Sequence, residues 1–119
     1  MSQQNVQEKE SRYVSNEKAW KALPYKGVYI KNLYKFPEGG STVLIKMEPN
    51  SSFPLHDHPA DEEVFVLEGE CKVGKYQLYQ GDYLFTPQGT IHAPFTREGC
   101  TLFARTIEAL TFLNTEKNS

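Results

Sequence analysis

The sequence predicts one all-β domain, and three observations carry this prediction. From Gly27 onward, apolar and polar residues alternate in short runs that are rich in β-branched and aromatic side chains, as in half-buried strands. Glycine and proline turn signals separate these runs at short intervals. No stretch keeps a helical period, and many short strands with such turns are typical of a sandwich or a barrel.

Length and charge limit the class of protein. The chain has 119 residues and a formal net charge of −2, which suits one domain with a single core. Lys and Arg form no basic stripe, so nucleic acid is not an expected partner. No run approaches the roughly 20 apolar residues of a membrane helix, and residues 1–10 lack the apolar core of a secretory signal. We therefore expect a cytoplasmic protein without a membrane partner.

The N-terminal region differs from the rest of the chain in composition. Residues 1–24 are expected to form a polar arm, mobile or loosely docked over residues 1–18. At most a turn or two of helix is expected, near residues 16–23. Trp20, Leu23 and Tyr25 form an apolar group that either covers an edge of the domain or packs against a second subunit.

The β-domain is expected to span residues 25–113 and to be followed by a polar tail, residues 114–119. Strands are predicted at residues 28–34, 42–48, 62–68, 71–73, 76–79, 82–85, 91–95 and 100–107. The turns between them contain glycine, proline or asparagine, for example at residues 37–40, 49–52 and 74–75. Cys71 and Cys100 are expected to be reduced and buried, because free cysteines in a reducing compartment usually are.

The three histidines of the chain, His56, His58 and His92, are the clearest sign of function. On an extended strand, residues two apart face the same side, so His56 and His58 would project together. The carboxylates of Glu62 and Glu63 follow shortly after. Imidazole and carboxylate groups together bind divalent iron, zinc, manganese, nickel or copper. The sequence therefore predicts a metal site inside a small β-barrel.

The spacing of these residues resembles the two motifs of the cupin superfamily. The first motif, Gly-x5-His-x-His-x(3,4)-Glu-x6-Gly, lacks its opening glycine here but matches at His56, His58, Glu62 and Gly69. The second, Gly-x5-Pro-x-Gly-x2-His-x3-Asn, matches at Gly81, Pro87, Gly89 and His92, with Thr96 in place of the asparagine. Finer features in residues 53–54, 62–70, 92–94 and 98–100 resemble the ChrR-like cupin group.

The resemblance implies a single-domain cupin, a double-stranded β-helix or jelly-roll barrel, with one metal ion bound by His56, His58, Glu62 and His92. Some members of this group bind iron through three histidines. Strand alternation places Glu62 and Glu63 on opposite faces, so a Glu62 ligand, a Glu63 ligand and a three-histidine site all remain open. Asp57 and Asp61 are expected to face solvent or to support the ligands.

Other side chains have two interpretations each. Phe53, Phe85, Phe95 and Phe103 either line the metal cavity and bind substrate or pack in the core. Lys46 and Arg105 either reach into the barrel toward an anionic substrate oxygen or lie on a solvated face. Phe65 and Leu67 are opposite in phase to Glu62, so they would suit the homodimer that cupins commonly form.

The resembling group contains two kinds of protein, and each implies a function. The first is a small Fe(II)-dependent dioxygenase acting on a compact carbonyl or enol substrate that chelates the metal. The second is a non-catalytic metal- or ligand-sensing module, like the cupin part of the zinc-binding anti-sigma factors. Residues 1–24 contain neither His nor Cys, unlike the zinc-binding helical domain of those factors, which favours the dioxygenase. An isomerase or epimerase ranks last, because no histidine is left to act as a base.

Overall fold

The computed structural model describes residues 9–54, 56–57 and 60–107, and for residues 56–57 it describes the backbone. Within these residues every regular element is a strand, which confirms the all-β prediction. The strands are β1 (Lys21–Ala22), β2 (Val28–Lys35), β3 (Ser41–Met47), β4 (Ser51–Ser52), β5 (His56–Asp57), β6 (Asp61–Val73), β7 (Tyr76–Tyr79), β8 (Tyr83–Thr86), β9 (Ile91–His92), β10 (Phe95–Thr96) and β11 (Cys100–Ile107).

The longest strand, β6, connects the two parts of the curled sheet. Its first half pairs with β8 and β11, and its second half pairs with β7 and β10. The nine-stranded sheet runs in the order β1-β2-β3-β11-β6-β10-β4, and β7 and β8 are attached to β6. β5 and β9 form a separate two-stranded sheet. In this sheet His56, from the first predicted metal motif, is paired with His92, from the second.

A glycine allows β6 to pass from one part of the sheet to the other. Gly69 has φ +79° and pairs with Cys100 of β11. A Cβ atom at this position would overlap the carbonyl oxygen of Gly99 and lie 2.9 Å from the Cα of Cys100. Next to it, the register against β11 shifts so that Leu67 is an extra residue on β6, as in a β-bulge.

The core contains the inward residues of β2, β3, β6, β7 and β11. Its members are apolar or thiol side chains that alternate with less buried neighbours: Val28, Met47, Val64, Val66, Cys71, Val73, Leu78, Cys100, Leu102 and Ala104. Cys71 and Cys100 are free and buried, as the sequence predicts. Leu23, Val43, Ile45, Phe53 and Leu84 pack around this core while partly buried.

The helix predicted near residues 16–23 is not formed. The chain makes a turn at residues 16–17 and then extends as β1, where Lys21 pairs with Ile30 and Ala22 with Tyr29 of β2. Pairing satisfies the backbone groups of the β2 edge, which would otherwise stay open. The gain from covering this edge outweighs the weak helical preference of so short a segment.

Side chains of the arm fix it to the same sheet. The ammonium group of Lys18 donates a hydrogen bond to the carbonyl oxygen of Asn32 (2.7 Å), and that of Lys31 donates to Asn16 (3.2 Å). The Trp20 ring lies 4.5 Å from the Lys31 ammonium and 4.9 Å from that of Lys46. Trp20 therefore covers part of the sheet of its own chain.

The predicted strands are found with bounds that agree to within one or two residues, with two differences. Residues 62–68 and 71–73 belong to one strand, β6, because Gly69 bends the chain without ending the pairing. Residues 91–95 are divided between β9 and β10, since Ala93 and Pro94 interrupt the pairing. Within the described part of the chain, no helix has the length and hydropathy to span a membrane. The tail predicted at residues 114–119 and residues 1–8 lie outside the described residues.

Candidate metal and substrate site

A cavity of about 140 Å³ brings two of the predicted ligands together. The carboxylate residue Glu62 and the imidazole residue His92 both line it. The other lining residues are the polar Thr86 and seven apolar residues: Ile45, Phe53, Val64, Val73, Leu84, Pro94 and Leu102. The cavity is therefore a mostly apolar chamber with a few polar groups, which is the usual character of a small-molecule site.

The alternation of β6 places the two adjacent glutamates on opposite faces of the strand. Glu62 lies opposite Thr86 of β8, and both residues line the cavity. Glu63 lies opposite Phe85 on the other face, where the Tyr83 hydroxyl donates a hydrogen bond to its carboxylate (3.0 Å). This hydrogen bond follows burial among the causes that raise the pKa of Tyr83. The structure thus brings Glu62 to the cavity and keeps Glu63 on the outer face.

His92 is buried, with 8% of its surface exposed. Its strand, β9, pairs with β5 so that His92 lies opposite His56 and Ile91 lies opposite Asp57. The side chains of His56 and Asp57, and all of His58, lie outside the described residues. Among the residues that are described, no group of three or more His, Cys, Asp or Glu side chains could hold a metal. The four-residue ligand set therefore remains a prediction.

The donors that are described fit a divalent cation of the predicted kind. A carboxylate and an imidazole reach one chamber with mostly apolar walls, and iron, zinc and manganese sites commonly combine these two donors. The backbone pairing of His56 with His92 brings a second imidazole-bearing residue to the same two-stranded sheet. The residues present are thus compatible with a metal site at this end of the barrel.

Asp61 supports the turn that precedes β9. Its carboxylate accepts a hydrogen bond from the backbone N–H of Gln88 (2.8 Å). In the same turn, the N–H of Thr90 donates to the carbonyl oxygen of Pro87 (3.3 Å). Asp61 therefore ties the start of β6 to the segment that delivers His92. Of the two roles expected for Asp61, facing solvent or supporting the ligands, this contact is compatible with the second, which stays a prediction.

The four phenylalanines considered from the sequence occupy different places. Phe53 is partly buried and lines the cavity. Phe85 and Phe95 lie on exposed faces of β8 and β10, with 45% and 41% of their surfaces exposed. Phe103 is on the outer face of β11, opposite Phe65 of β6. Alternation explains the difference, because Phe85 and Phe103 neighbour the inward residues of their strands.

Lys46 and Arg105 also lie on the outer side of the sheet. The Lys46 ammonium is 4.9 Å from the Trp20 ring centroid and 5.3 Å from that of Tyr29. The Arg105 guanidinium is 5.1 Å from the Phe36 ring. Each alternates with an inward residue of its strand, Ile45 or Ala104. Neither cation lines the cavity, so the solvated-face interpretation fits both.

Thr86 is a cavity residue that the sequence interpretation missed. The predicted strand ended at residue 85, whereas β8 continues to Thr86. Leu84 and Thr86 alternate with the exposed Tyr83 and Phe85 and both line the cavity. Extending the period of β8 by one residue would have identified Thr86 as inward.

The buried thiols form a separate pair away from the cavity. Cys71 and Cys100 hydrogen-bond each other, and this contact together with burial raises the pKa of Cys71 well above its usual range. The same hydrogen bond lowers the pKa of Cys100, although burial opposes it. Neither residue lines the cavity that contains Glu62 and His92. Among the described residues, the thiols are therefore part of the core and not of the candidate site.

Solved structures with a similar fold include proteins with different activities. The ChrR anti-sigma factor of Rhodobacter sphaeroides, solved in complex with SigE, is 24% identical over 74% of this chain, with a TM-score of 0.68. An acetylacetone dioxygenase from Acinetobacter johnsonii is 19% identical, and the match covers 86% of this chain and 76% of the dioxygenase with a TM-score of 0.74. An RmlC-like cupin from Shewanella frigidimarina is 21% identical over 87% of this chain and 96% of its own, with a TM-score of 0.72.

These similarities establish the fold. The chain spans about half of the ChrR chain, 48% of its length. No protein with a curated function matches the sequence. The profile of the ChrR cupin-like domain, however, matches residues 8–109, which is most of the chain. Together with the barrel and the position of the two motifs, this match shows that the chain belongs to the ChrR cupin-like family.

Proposed function

We propose that the protein is a small metal-dependent dioxygenase that acts on a compact carbonyl or enol substrate. The proposed metal, with Fe(II) favoured over zinc, manganese, nickel and copper, would be held by His56, His58, Glu62 and His92. The observation that carries the proposal is the cavity in which Glu62 and His92 meet within mostly apolar walls. Similarity in fold to the acetylacetone dioxygenase supports the substrate class.

The metal and the residues around it would have different roles in this reaction. When bound, the metal supplies a Lewis acid that polarises substrate oxygens and a site for oxygen binding. The apolar walls, among them Phe53, Val64 and Leu102, exclude water and accept the carbon skeleton of the substrate. Glu62 adds negative charge beside the neutral imidazoles and strengthens the hold on a divalent cation. The small chamber selects compact molecules, since its volume is similar to that of a protein cavity that holds benzene, about 150 Å³.

Oxygen uptake by the iron-loaded protein tests the proposal. The protein is purified without oxygen, loaded with Fe(II), and mixed with 2,4-pentanedione and with hydroxyacetophenones in an oxygen electrode. We expect substrate-dependent uptake that exceeds that of free Fe(II) at the same concentration. The His92→Ala variant, treated in the same way, serves as the control and should match free iron. Uptake by the wild-type protein no greater than that of free iron across the panel would contradict the proposal.

A non-catalytic metal- or ligand-sensing role is the second candidate. It is favoured by the match to the ChrR cupin-like domain and by the fold of the ChrR anti-sigma factor, which binds SigE. A sensor would bind a metal tightly and change its conformation, with no need to turn over a substrate. Tight zinc binding with altered backbone hydrogen exchange, combined with no oxygen uptake by the iron form, would favour this role over the dioxygenase.

We also propose a homodimer formed through the outer face of the sheet. Phe65 lies directly opposite both Phe103 and Tyr83, and these side chains are 40%, 38% and 55% exposed. Leu67, at the bulge, adds a further exposed apolar side chain (41%). Adjacent exposed apolar side chains of this kind mark interaction surfaces. Sedimentation should show a dimer at micromolar concentration that Phe65→Asp converts to a monomer, whereas a monomeric wild-type protein would refute the idea.

A further inference from the structure

A surface groove of about 300 Å³ adjoins the candidate cavity. The two spaces share four lining residues: Val73, Leu84, Thr86 and His92. His92 and Thr86 are both more than nine-tenths buried. The buried residues that line both spaces lie between them, so the groove and the cavity are neighbours. The groove therefore extends from the surface to the buried side chain of His92, a predicted metal ligand.

The walls of the groove are apolar near the surface. They are formed by the turn between β6 and β7, by the end of β8 and by β9. Tyr76, Phe85 and Ile91 line the groove with 49%, 45% and 62% of their surfaces exposed. Apolar side chains this exposed, gathered around the opening of a cavity, offer a surface for an apolar ligand segment.

One cation stands in this apolar surrounding. Lys75, in the turn between β6 and β7, lines the groove, and its ammonium lies 5.4 Å from the ring centroid of Tyr76. No acidic side chain is among the described residues that line the groove. In the described part of the chain, Lys75 forms no ion pair. Its charge is therefore available to an anion that enters along the groove.

Thr86 lies at the buried end of the groove. Its side chain faces inward from β8, and its hydroxyl makes no hydrogen bond to any of the described residues. A buried hydroxyl without a partner is costly, so a ligand oxygen beside Thr86 would relieve this cost. The cavity itself, at about 140 Å³, is smaller than the roughly 300–1,000 Å³ of typical ligand sites. A ligand much larger than benzene, which a cavity of about 150 Å³ can hold, must extend into the groove.

We propose that the substrate has two parts, a compact oxygen-bearing head beside Thr86 and His92 and an apolar tail that ends in an anionic group near Lys75. This inference rests on the proposed function, because the head is the carbonyl or enol group of that reaction. It goes further in assigning the groove to the tail and in naming Lys75 as the residue that selects a carboxylate-ended tail.

Calorimetric titration of the zinc-loaded protein tests this proposal without relying on turnover. The probes are 2,4-pentanedione, 2,4-nonanedione, and 2,4-diones whose alkyl tail of two to five methylenes ends in a carboxylate. Each buried methylene is worth about fourfold in affinity, so nonanedione should bind at least about tenfold more tightly than pentanedione. A carboxylate of suitable reach should bind more tightly still.

Substitutions at three positions, Lys75, Tyr76 and Thr86, separate the parts of the substrate. Lys75→Glu should lower the affinity ratio of carboxylate-ended to methyl-ended tails by about tenfold, and Tyr76→Ala should lower the ratio of nonanedione to pentanedione. Lys72→Glu is the matched charge control, since Lys72 is on the same hairpin but lines a different groove. Thr86→Val should weaken all diones by a similar factor, and Thr86→Ser should restore them.

The outcomes distinguish this inference from the proposed function. If pentanedione binds but longer tails bring no gain, or if Lys75→Glu and Lys72→Glu have equal effects, the two-part substrate is refuted and the dioxygenase proposal stands. If no dione binds to the zinc form and none supports oxygen uptake by the iron form, both fail. A carboxylate preference that Lys75→Glu removes and Lys72→Glu leaves intact, together with a tail dependence that Tyr76→Ala reduces, would establish the assignment of the groove.

Discussion

His56 and His92 lie opposite each other as paired residues of the antiparallel strands β5 and β9. They are 36 positions apart in the sequence, and they belong to the two separate motifs that predicted a metal site. The pairing brings one strand from each motif into a single small sheet at one end of the barrel. A metal shared by the motifs would therefore hold β5 and β9 together.

Removing either histidine should have almost the same effect as removing both. We expect His56→Ala and His92→Ala each to lower Fe(II) or zinc affinity by about 10- to 100-fold or more, in the range known for disturbed metal sites. Because both would bind the same ion, the double variant should lose much less than the sum of the two free energies. Glu68→Gln, at an exposed position of β6, is the control. Metal content by elemental analysis and titration measures the losses, and fully additive losses would contradict a shared ion.

Glu62 and Glu63 provide a second, internal comparison. Glu62 lines the cavity, whereas Glu63 accepts the Tyr83 hydroxyl on the outer face. Glu62→Gln should therefore weaken metal binding by about tenfold or more, and Glu63→Gln should leave it within a factor of two. Zinc titration of both variants decides the matter. Unchanged affinity in Glu62→Gln would instead indicate a site formed by the three histidines alone.

Sequence periodicity predicted the strands well because most of them have one buried and one exposed face. In β11, for example, Cys100, Leu102 and Ala104 are buried and alternate with more exposed residues. The period-two pattern in the sequence therefore corresponds directly to which side chains are buried. Short strands lack this signal. β1, with two exposed residues, is formed because it covers the edge of β2, and nothing local in its sequence could indicate that pairing.

The candidate ligand residues were predictable because sequence motifs indicate them. The residues that line the cavity walls were less predictable, because tertiary packing determines them. The spacing of Glu62 and His92 indicated that they would meet, and they do line one cavity. The cavity walls depend on the tertiary arrangement of several strands. Thr86 was missed because it falls one residue beyond the predicted end of β8, and Phe103, chosen for its aromatic character, has the outward phase of β11.

Two glycines with similar backbone angles should respond very differently to an added methyl group. Gly69 (φ +79°) would place a Cβ against the backbone of Gly99 and Cys100, whereas Gly74 (φ +61°) has nothing within 4 Å. Gly74→Ala should cost about 1–2 kcal/mol through its left-handed backbone alone. Gly69→Ala should cost more than about 4 kcal/mol, because the overlap involves backbone that cannot move aside. Urea unfolding and soluble yield measure the difference; equal losses would show that the approach of β6 to Gly99 does not matter.

Docking of the arm should depend on the single tryptophan of the chain. The Trp20 ring lies beside the ammonium groups of Lys31 and Lys46, and Lys31 is 95% buried, with 5% exposure. Trp20→Ala would remove these contacts, each worth about 0.5–1 kcal/mol, and would open Lys31 to solvent. We expect a loss of about 1–2 kcal/mol in the free energy of unfolding. Tyr13→Ala, at a side chain that is 89% exposed, is the control and should change stability by less than about 0.5 kcal/mol. A Trp20→Ala protein as stable as this control would show that the arm is not held by Trp20.

Glu70 should make the stability of the barrel depend on pH on the acidic side. Burial by itself raises the pKa of Glu70, but hydrogen bonds from the N–H groups of Glu98 and Arg97 and from the side chains of Gln77 and Thr96 outweigh it, so the pKa is lowered below its usual 4.5. A lowered pKa in the folded state means that the stabilising contribution is complete above about pH 4.5 and is lost as the pH falls through the folded-state pKa.

The Glu70→Gln variant tests this, because its side chain cannot carry the charge. We expect it to lower the melting temperature near pH 7, by an amount corresponding to about 1 kcal/mol, and to flatten the decline in stability below pH 4.5. Glu68→Gln, at an exposed position of the same strand, should retain the wild-type profile. If Glu70→Gln and the wild type lost stability in parallel on acidification, the carboxylate of Glu70 would not be the group that ties residues 96–98 to β6.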